Sequence, residues 1–512
     1  MMRMRPTVLG LCFVSVALAF GGRLEAAPPP LFKAGFAERD ISPDLGMEQP
    51  GGYGKAYHRT FHDPCKARAV VFDDGATRLA IVGIDSLLIR KRTVDAIRAA
   101  VNRRCGIPPD SILISASHTH SGGPTGMSLP GEFDHADPFV KKLVNEDSSI
   151  ANPNYLAKIE REVADAICQA DASRVEARCG VGYGIEGKVS FNRRFRMKNG
   201  LTFTHPGQGN PEIIEPAGPI DPQIGVIGAW SKEGTFLGCV VNFACHATTG
   251  SGGISADYIH YIEKTVRGLM GEKAVVVFLP GAGGDVTQVD NRSPYEIKQF
   301  GEISARFVGG RIGAETLKTL LAMEQGAGSL APLSARVKIL KIPRREPKPA
   351  RLAQAKKLAR LDAKTVDAAE WTFAKELVLL EARLAIEPIA GVEVQALQVG
   401  PAVFLASPAE YFCQFGLDLK AGSKFPFTFP VSMANDCVGY VPTEDALGPG
   451  GGGYETRLTS YSNLISTAGR EIADNLIRLS NLLKPGPVPE PPALKKFKGK
   501  PWTYGSVPPE VD

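Results

Sequence analysis

The sequence lacks several patterns that would assign a function directly. None of its nine cysteines are spaced as Cys-x-x-Cys, which argues against a zinc site built from cysteines. It has no Gly-x-Ser-x-Gly elbow, and the glycine-rich run at 448–453 lacks the Lys-Ser/Thr pair of a phosphate-binding P-loop. The formal net charge is only +5, which favours no nucleic-acid partner. No protein partner is predicted either, so the search for a site turns to histidines and carboxylates.

Long apolar runs are also missing after the N-terminus. Residues 1–26 have a basic start, an apolar core of about 14 residues and a small-residue end, which is typical of a secretory signal peptide. No later segment contains about 18 uninterrupted apolar residues. Cleavage near Ala26 removes three arginines and one glutamate, a loss of two positive charges from the total of +5. The sequence therefore predicts a soluble protein that is secreted or periplasmic.

The remaining chain is predicted to have an α/β fold. Short Val/Ile/Leu runs alternate with helical stretches from about residue 32 to 340, which indicates a mixed sheet core flanked by helices. Several of these strands end in polar clusters, where open α/β sheets usually hold their ligands. We expect one domain at 32–485 and a proline-rich tail, extended or disordered, at 486–512.

One segment within that domain is predominantly helical. Residues 345–387 are rich in Ala, Lys, Arg, Leu and Glu, which predicts one or two amphipathic helices. We expect these helices to pack across the sheet with a solvated basic face. The alternative is that the basic face makes a peripheral contact with an anionic membrane.

Three histidines follow apolar strands. In "LISASHTHSGGP" a strand leads to His118 and His120, which share one face if the segment stays extended. In "VVNFACHATTGSGG" another strand leads to His246. Three imidazoles at two strand ends favour a metal site, and zinc accepts imidazole nitrogen and carboxylate while leaving room for water. Bound zinc lowers the pKa of that water towards about 7.

Several carboxylates could complete such a site. Polar residues at the ends of other predicted strands include Asp85, Asp257, Asp285 and Glu410. Periodicity does not rank them. Asp285 is also expected to cap the next helix, since Asp accepts hydrogen bonds from the first backbone N–H groups of helices.

Five motifs occur in a characteristic order along the chain: "SHTHSGG", "NFACHATT", "PGAGGDVTQ", "SPAEYF" and "NDCVGYVPTEDAL" followed by "GGYE". In this order they resemble the motifs of the neutral/alkaline, non-lysosomal ceramidases, which are zinc amidohydrolases that cleave N-acylsphingosines. The resemblance runs from about residue 32 to 484. It implies hydrolysis of the N-acyl amide bond of ceramide-like lipids to a fatty acid and a sphingoid base.

The resemblance also implies roles for individual residues. The implied ligands of Zn²⁺ are His118, His246, Glu410 and Tyr440. The implied catalytic residues are His120, which would exchange protons with the attacking water or leaving amine, and Arg193 and Tyr454, which would stabilise the developing oxyanion. Zinc is the only cofactor implied, and the partner is a lipid-like small molecule.

The sequence departs from the family at two points. In "GGISADYIHY", Ala256 occupies the place of a family serine that has been considered catalytic, and Ser255 is one residue away. The C-terminal immunoglobulin-like domain typical of the family is not expected here. Two alternatives therefore stay open: a zinc hydrolase of another N-acyl or ester substrate, and a non-catalytic zinc-containing protein that binds lipid or sugar.

Overall fold

The computed structural model of the protein describes residues 31–505 and 508–511. The predicted signal peptide, residues 1–26, lies outside the described residues. Among the helices of the described residues, none combines the length and the apolarity needed to cross a membrane.

The described residues contain strands and helices in alternation, as predicted. The strands are β1 (Lys33–Asp40), β2 (Lys66–Asp73), β3 (Arg78–Ile84), β4 (Ile112–Ala116), β5 (Val175–Ile185), β6 (Phe191–Asn192), β7 (Arg194–Met197), β8 (Thr202–Thr204), β9 (Ile213–Pro216), β10 (Gln223–Ser231), β11 (Phe236–Phe243), β12 (Val275–Pro280), β13 (Val286–Thr287), β14 (Leu333–Pro343), β15 (Ile389–Val399), β16 (Ala402–Ala406), β17 (Glu410–Tyr411), β18 (Phe427–Val431) and β19 (Tyr440–Val441). The helices are α1 (Lys91–Cys105), α2 (Pro138–Asp147), α3 (Pro153–Ala172), α4 (Tyr258–Met270), α5 (Glu302–Met323), α6 (Pro349–Leu358), α7 (Ala368–Leu384), α8 (Cys413–Gly422), α9 (Glu444–Leu447) and α10 (Ala468–Asn481).

The largest sheet has eight strands in the order β12-β11-β10-β5-β1-β2-β3-β4. It is mixed, because β11 pairs with β12 and β3 with β4 in parallel while the other neighbours are antiparallel. Only two residue pairs join β1 to β5, so the sheet consists of two four-stranded halves. The halves face each other closely: a Cβ at Gly83 of β3 would collide with the carbonyl oxygen of Phe278 in β12.

Apolar side chains fill three layers around these halves. A central core contains Phe72 and Ile81 from one half, Val277 from the other, and Phe404 from a second sheet, ordered β14-β15-β16-β18. Helices α1 and α3, joined by the disulfide Cys105–Cys168, cover the outer face of β1 to β4, and α4 and α5 cover the outer face of the other half. The predicted α/β class, a mixed sheet core flanked by helices, is confirmed.

The helical segment 345–387 forms two helices, α6 and α7, but its packing differs from the prediction. The two helices pack on each other and α7 packs on α2, rather than across the sheet. The reason lies in α7, whose apolar residues Val378 and Leu379 contact Leu143 and Val144 of α2. In the tail, residues 486–502 contain no helix or strand, and the Gly486 N–H donates to the Gly400 carbonyl at 3.0 Å.

Candidate metal centre and active site

Strand ends from different parts of the chain converge at one place. His118 follows β4, His246 follows β11, and Glu410 begins β17. β17 pairs in parallel with β19, which sets Glu410 beside Tyr440. The loop after β12 is attached to the same region, since the Gly284 N–H donates to the carbonyl of Tyr411, the residue after Glu410, at 2.8 Å. The predicted location of the site, at strand ends, is thus where these side chains meet.

The histidine pair after β4 is arranged differently from the extended segment that we expected. β4 ends at Ala116, and His118 has φ 65°, in the left-handed region that non-glycine residues seldom occupy. The pair therefore lies in a tight loop, and the rings of His118 and His120 meet edge to face with centroids 5.0 Å apart. Such backbone strain persists only where surrounding contacts hold it, and it clusters at functional sites.

Backbone carbonyls fix the orientation of His118 and His246. His118 Nδ1 lies 2.8 Å from the Leu87 carbonyl oxygen, and His246 Nδ1 lies 2.7 Å from that of Gly283. A carbonyl only accepts, so each Nδ1 carries the proton and donates. Each Nε2 then presents a lone pair, as a metal-binding imidazole oriented by a backbone carbonyl does.

Both lone pairs point at the same carboxylate oxygen. His118 Nε2 lies 3.1 Å and His246 Nε2 lies 3.0 Å from Glu410 Oε2. Burial, followed by the charge of Arg193, lowers the pKa of His246 to about 4, so this imidazole is neutral at pH 7. Three acceptor atoms thus converge in a buried space, an arrangement that a cation would neutralise. His118, His246 and Glu410 could hold a metal ion, and two ligands of a tetrahedral zinc are about 3.3 Å apart.

Tyr440 lies at the edge of this group in a network of hydroxyls and charge. Its hydroxyl oxygen lies 2.9 Å from the Tyr454 hydroxyl oxygen and accepts from Arg193 Nη2 at 3.1 Å. Arg193 Nε donates to Glu455 at 2.7 Å, and both side chains are buried. Burial, then the charge of Glu410, raises the pKa of Tyr440 despite the neighbouring Arg193, so this phenol is protonated when no metal ion is bound. A bound metal would favour the phenolate.

His120 stands beside the metal group without joining it. Its Nε2 is buried and has no hydrogen-bond partner among the described residues, while Gln49 Nε2 donates to its backbone carbonyl at 3.0 Å. Gly51, at φ 125°, lies directly against the ring, where a Cβ would collide with Nδ1. Burial, then the neighbouring His118 and His246, lowers the pKa of His120 well below its ordinary value. The ring is therefore neutral at pH 7.

The other candidate carboxylates have structural partners. Asp85 pairs with Arg68 at 2.6 Å, and Asp257 accepts from the Tyr258 N–H at the start of α4. The expectation that Asp285 caps the helix that follows it is wrong. Asp285 leads into the short strand β13, and its carboxylate accepts instead from the N–H of Cys413, the first residue of the distant helix α8, at 2.8 Å.

Ser255 and Ala256, at the point where the sequence departs from the family, are fully buried. Ala256 packs in the core under α4, and the Ser255 hydroxyl donates to Asp63 Oδ2 at 2.5 Å. Asp63 Oδ1 also accepts from the Ala256 N–H at 2.8 Å. The Ser255 hydroxyl is therefore committed to Asp63 and does not replace the missing serine.

Sequence reasoning missed several residues of the pocket. The Tyr461 hydroxyl donates to Glu410 Oε1 at 2.8 Å, and Leu87, Met127 and Tyr53 line the same pocket as the histidines. Tyr461 follows no strand and belongs to none of the quoted motifs, so no spacing marked it. Glu455 was adjacent to a predicted site residue in "GGYE", and that adjacency was the available signal.

Comparisons with known proteins find one relative by sequence and two solved structures with a similar fold. No family model matches the chain. The chain is 24% identical over 255 residues to the neutral ceramidase of Pseudomonas aeruginosa, a stretch that covers 49% of this chain and 34% of that protein. The aligned stretch thus spans about a third of the curated relative.

Two solved structures share the fold. A ceramidase complexed with C2 superposes with a TM-score of 0.63, covering 90% of this chain and 77% of that one at 17% identity. The neutral ceramidase from Pseudomonas aeruginosa gives a TM-score of 0.62 at the same identity and coverage. The chain therefore has the neutral ceramidase fold, and the resemblance predicted from its motifs is confirmed.

Proposed function

We propose that this protein is a zinc-dependent amidohydrolase that cleaves the N-acyl amide bond of ceramide-like lipids, releasing a fatty acid and a sphingoid base. The observation that carries the proposal is the convergence of two imidazole lone pairs on Glu410 Oε2, at 3.1 and 3.0 Å. The similarity to ceramidases in sequence and in fold supports the substrate class.

The donor set suits zinc. Two imidazole nitrogens and one carboxylate leave coordination positions free for a substrate or water, as catalytic zinc sites do. Tyr440 is the fourth proposed ligand, because its hydroxyl lies in the same pocket and is already held by Arg193 at 3.1 Å. When bound, zinc supplies Lewis acidity, which polarises a carbonyl and favours attack by water near neutral pH.

The remaining residues of the pocket perform the other steps of amide hydrolysis. The Arg193 guanidinium and the Tyr454 hydroxyl both contact the Tyr440 hydroxyl within hydrogen-bond distance. We assign them to stabilise the carbonyl oxygen of the substrate amide as negative charge develops on it. Burial raises the pKa of Tyr454 to about 12, so its hydroxyl remains a donor. His120 accepts a proton from the attacking water and delivers it to the departing nitrogen, which an amide needs because its leaving group is poor.

A second candidate is hydrolysis of a different N-acyl or ester substrate. It is favoured by Ala256, which stands where the ceramidase family carries a serine, and by the commitment of Ser255 to Asp63. A non-catalytic lipid- or sugar-binding role is less favoured, because binding alone gives no reason to retain three converging metal donors beside an unpartnered His120 Nε2.

We also propose that the protein is exported, to the periplasm or beyond. The apolar N-terminal segment with its basic start supports this proposal. The disulfide Cys105–Cys168 supports it independently, because disulfides persist in oxidising compartments.

The experiment that tests the function is the release of fatty acid from a long-chain ceramide by the purified protein. The assay is run as purified, after chelation, and after zinc is restored, with His118→Ala as the matched inactive control. We expect release that chelation abolishes and zinc restores. A protein that holds stoichiometric zinc but releases nothing from ceramide contradicts the ceramide assignment, and a panel of N-acyl and ester substrates then tests the second candidate.

A further inference from the structure

The position of the His120 ring depends on the loop that carries it. His120 Nε2 has no hydrogen-bond partner among the described residues. The backbone around it is bonded instead: the His120 N–H donates to the Ala247 carbonyl at 3.2 Å, and the Ser121 N–H donates to the Thr119 hydroxyl at 3.1 Å. Hydrogen bonds at residues 119–121, which we name the His120 loop, therefore help to set the position of the ring.

The backbone of Ser255 is bonded to both ends of the His120 loop. The Thr119 hydroxyl donates to the Ser255 carbonyl at 2.9 Å, and the Ser255 N–H donates to the Ser121 carbonyl at 3.1 Å. All three residues are buried, so breaking either bond would leave an unsatisfied polar group, which is costly. A shift of Ser255 would therefore move the residues on either side of His120.

Asp63 fixes Ser255 in turn. Its carboxylate is buried and accepts from the Ser255 hydroxyl at 2.5 Å and from the Ala256 N–H at 2.8 Å. The backbone is joined at the same place, because the Asp63 N–H donates to the Ile254 carbonyl at 3.1 Å. Hydrogen bonds to a carboxylate are stronger than those between neutral groups, so Asp63 is an effective anchor for residues 254–256.

We propose that Ser255 and Asp63 are positioning residues that hold His120 beside the metal donors. The assignment rests on the proposed function, in which His120 transfers protons. A displacement of about 1 Å at a reacting centre can lower turnover about a hundredfold, so a residue acting only through the His120 loop has a large effect. The metal donors are held separately, because the carbonyls of Leu87 and Gly283 orient His118 and His246.

The first test measures the His120 loop without turnover. Hydrogen–deuterium exchange is followed by mass spectrometry in Ser255→Ala and in Ser480→Ala, a control that removes another fully buried serine hydroxyl, in α10. Exchange at the N–H groups of residues 119–121 should be about tenfold faster in Ser255→Ala, the effect of one lost hydrogen bond, and unchanged in the control. Equal exchange at these groups in both variants overturns the proposal.

The second test asks whether Ser255 acts through His120. With a dissolved short-chain ceramide as substrate, Ser255→Ala should keep its zinc and its KM and lower kcat about 10–100-fold. The double variant Ser255→Ala, His120→Ala should be no slower than His120→Ala alone, because the positioned group is already absent. A further loss in the double variant overturns the proposal, as does a loss of zinc that matches the loss of kcat.

A pair of Thr119 variants serves if Ser255→Ala does not fold. Thr119→Val keeps the shape of the side chain but removes the hydroxyl that bonds Ser255, whereas Thr119→Ser keeps that hydroxyl. Thr119→Val should show the faster exchange and the lower kcat, and Thr119→Ser should restore both. Identical behaviour of the two variants overturns the proposal. An unaltered protein that releases no fatty acid contradicts the proposed function instead, and the exchange measurement then decides whether Ser255 holds the His120 loop.

Discussion

This protein contains two clusters of buried charge that are built in opposite ways. In the first, Arg68 donates to Asp85 at 2.6 Å and to Glu263 at 2.7 Å, and Lys66 also donates to Glu263 at 2.6 Å. Each carboxylate there faces a cation. In the second, Glu410 Oε2 faces the lone pairs of two imidazoles, His118 and His246.

The difference separates structural charge from functional charge. A buried charge that is paired and hydrogen-bonded is compensated and needs nothing more. In the second cluster, no Lys or Arg side chain of the described residues forms an ion pair with Glu410, although backbone carbonyls orient both histidines. A buried set of oriented donor atoms whose negative charge is not balanced by a cationic side chain is typical of a metal-binding site.

The largest expected effect comes from removing a metal donor. His118→Ala or His246→Ala should lose bound zinc and lower fatty-acid release at least about a thousandfold, because the metal provides several kcal/mol of transition-state stabilisation. Zinc content by mass spectrometry and release from ceramide measure the two effects. Unaltered zinc content in either variant contradicts the assignment of that histidine as a metal ligand. The distinction between a structural cluster around Arg68 and a metal-binding cluster around Glu410 would then fail.

The second prediction distinguishes the metal ligands from the residue that transfers protons. His120→Ala should keep the zinc and lower turnover by about 10²–10⁴-fold, because proton transfer is lost while the metal donors stay intact. The same two measurements apply. Loss of zinc equal to that of the His118 variant would show that His120 is a ligand rather than the proton-transfer group.

A third prediction addresses the paired cluster. Glu263→Gln leaves Arg68 buried with one partner fewer, and we expect the free energy of unfolding at pH 7 to fall by about 3–5 kcal/mol. Zinc content and turnover per folded molecule should not change. Urea unfolding measures the loss, and Asp95→Asn, at an exposed pair with Lys91, is the control with little expected effect.

The pH dependence provides the check on that prediction. Burial opposes the charge of Glu263, but Arg68 and Lys66 prevail and lower its pKa to about 2, from an ordinary value of 4.5. A lowered folded-state pKa means that this carboxylate stabilises the protein fully above pH 4.5 and loses that contribution as the pH falls towards 2. The difference between the unaltered protein and Glu263→Gln should therefore shrink over this interval. A constant difference contradicts the ion-pair explanation.

The sequence predicted the cluster of His118, His246 and Glu410 better than the cluster of Arg68, Asp85 and Glu263. Histidines after apolar strands marked His118 and His246, because strand ends are defined by local patterns of apolar residues. Glu410 was open among four carboxylates until the resemblance selected it, since choosing among strand ends requires the order of strands in the sheet. The carbonyls of Leu87 and Gly283 that orient the histidines belong to backbone that no side-chain pattern reveals. The left-handed φ of His118 is likewise set by long-range packing.

The smallest effect tests a residue that the sequence did not mark. Tyr461 donates to Glu410 Oε1 at 2.8 Å, which leaves Oε2 to face the two histidines. Tyr461→Phe keeps the ring but removes this donor, so Glu410 should rotate more freely and zinc affinity should fall about 10–100-fold, with smaller loss of turnover at saturating zinc. Competition with a zinc chelator measures the affinity. If the zinc affinity is unchanged, the pairing of β17 with β19 is sufficient to hold Glu410 in place. The two clusters then differ only in that Glu410 faces two imidazole lone pairs, whereas the carboxylates around Arg68 face cations.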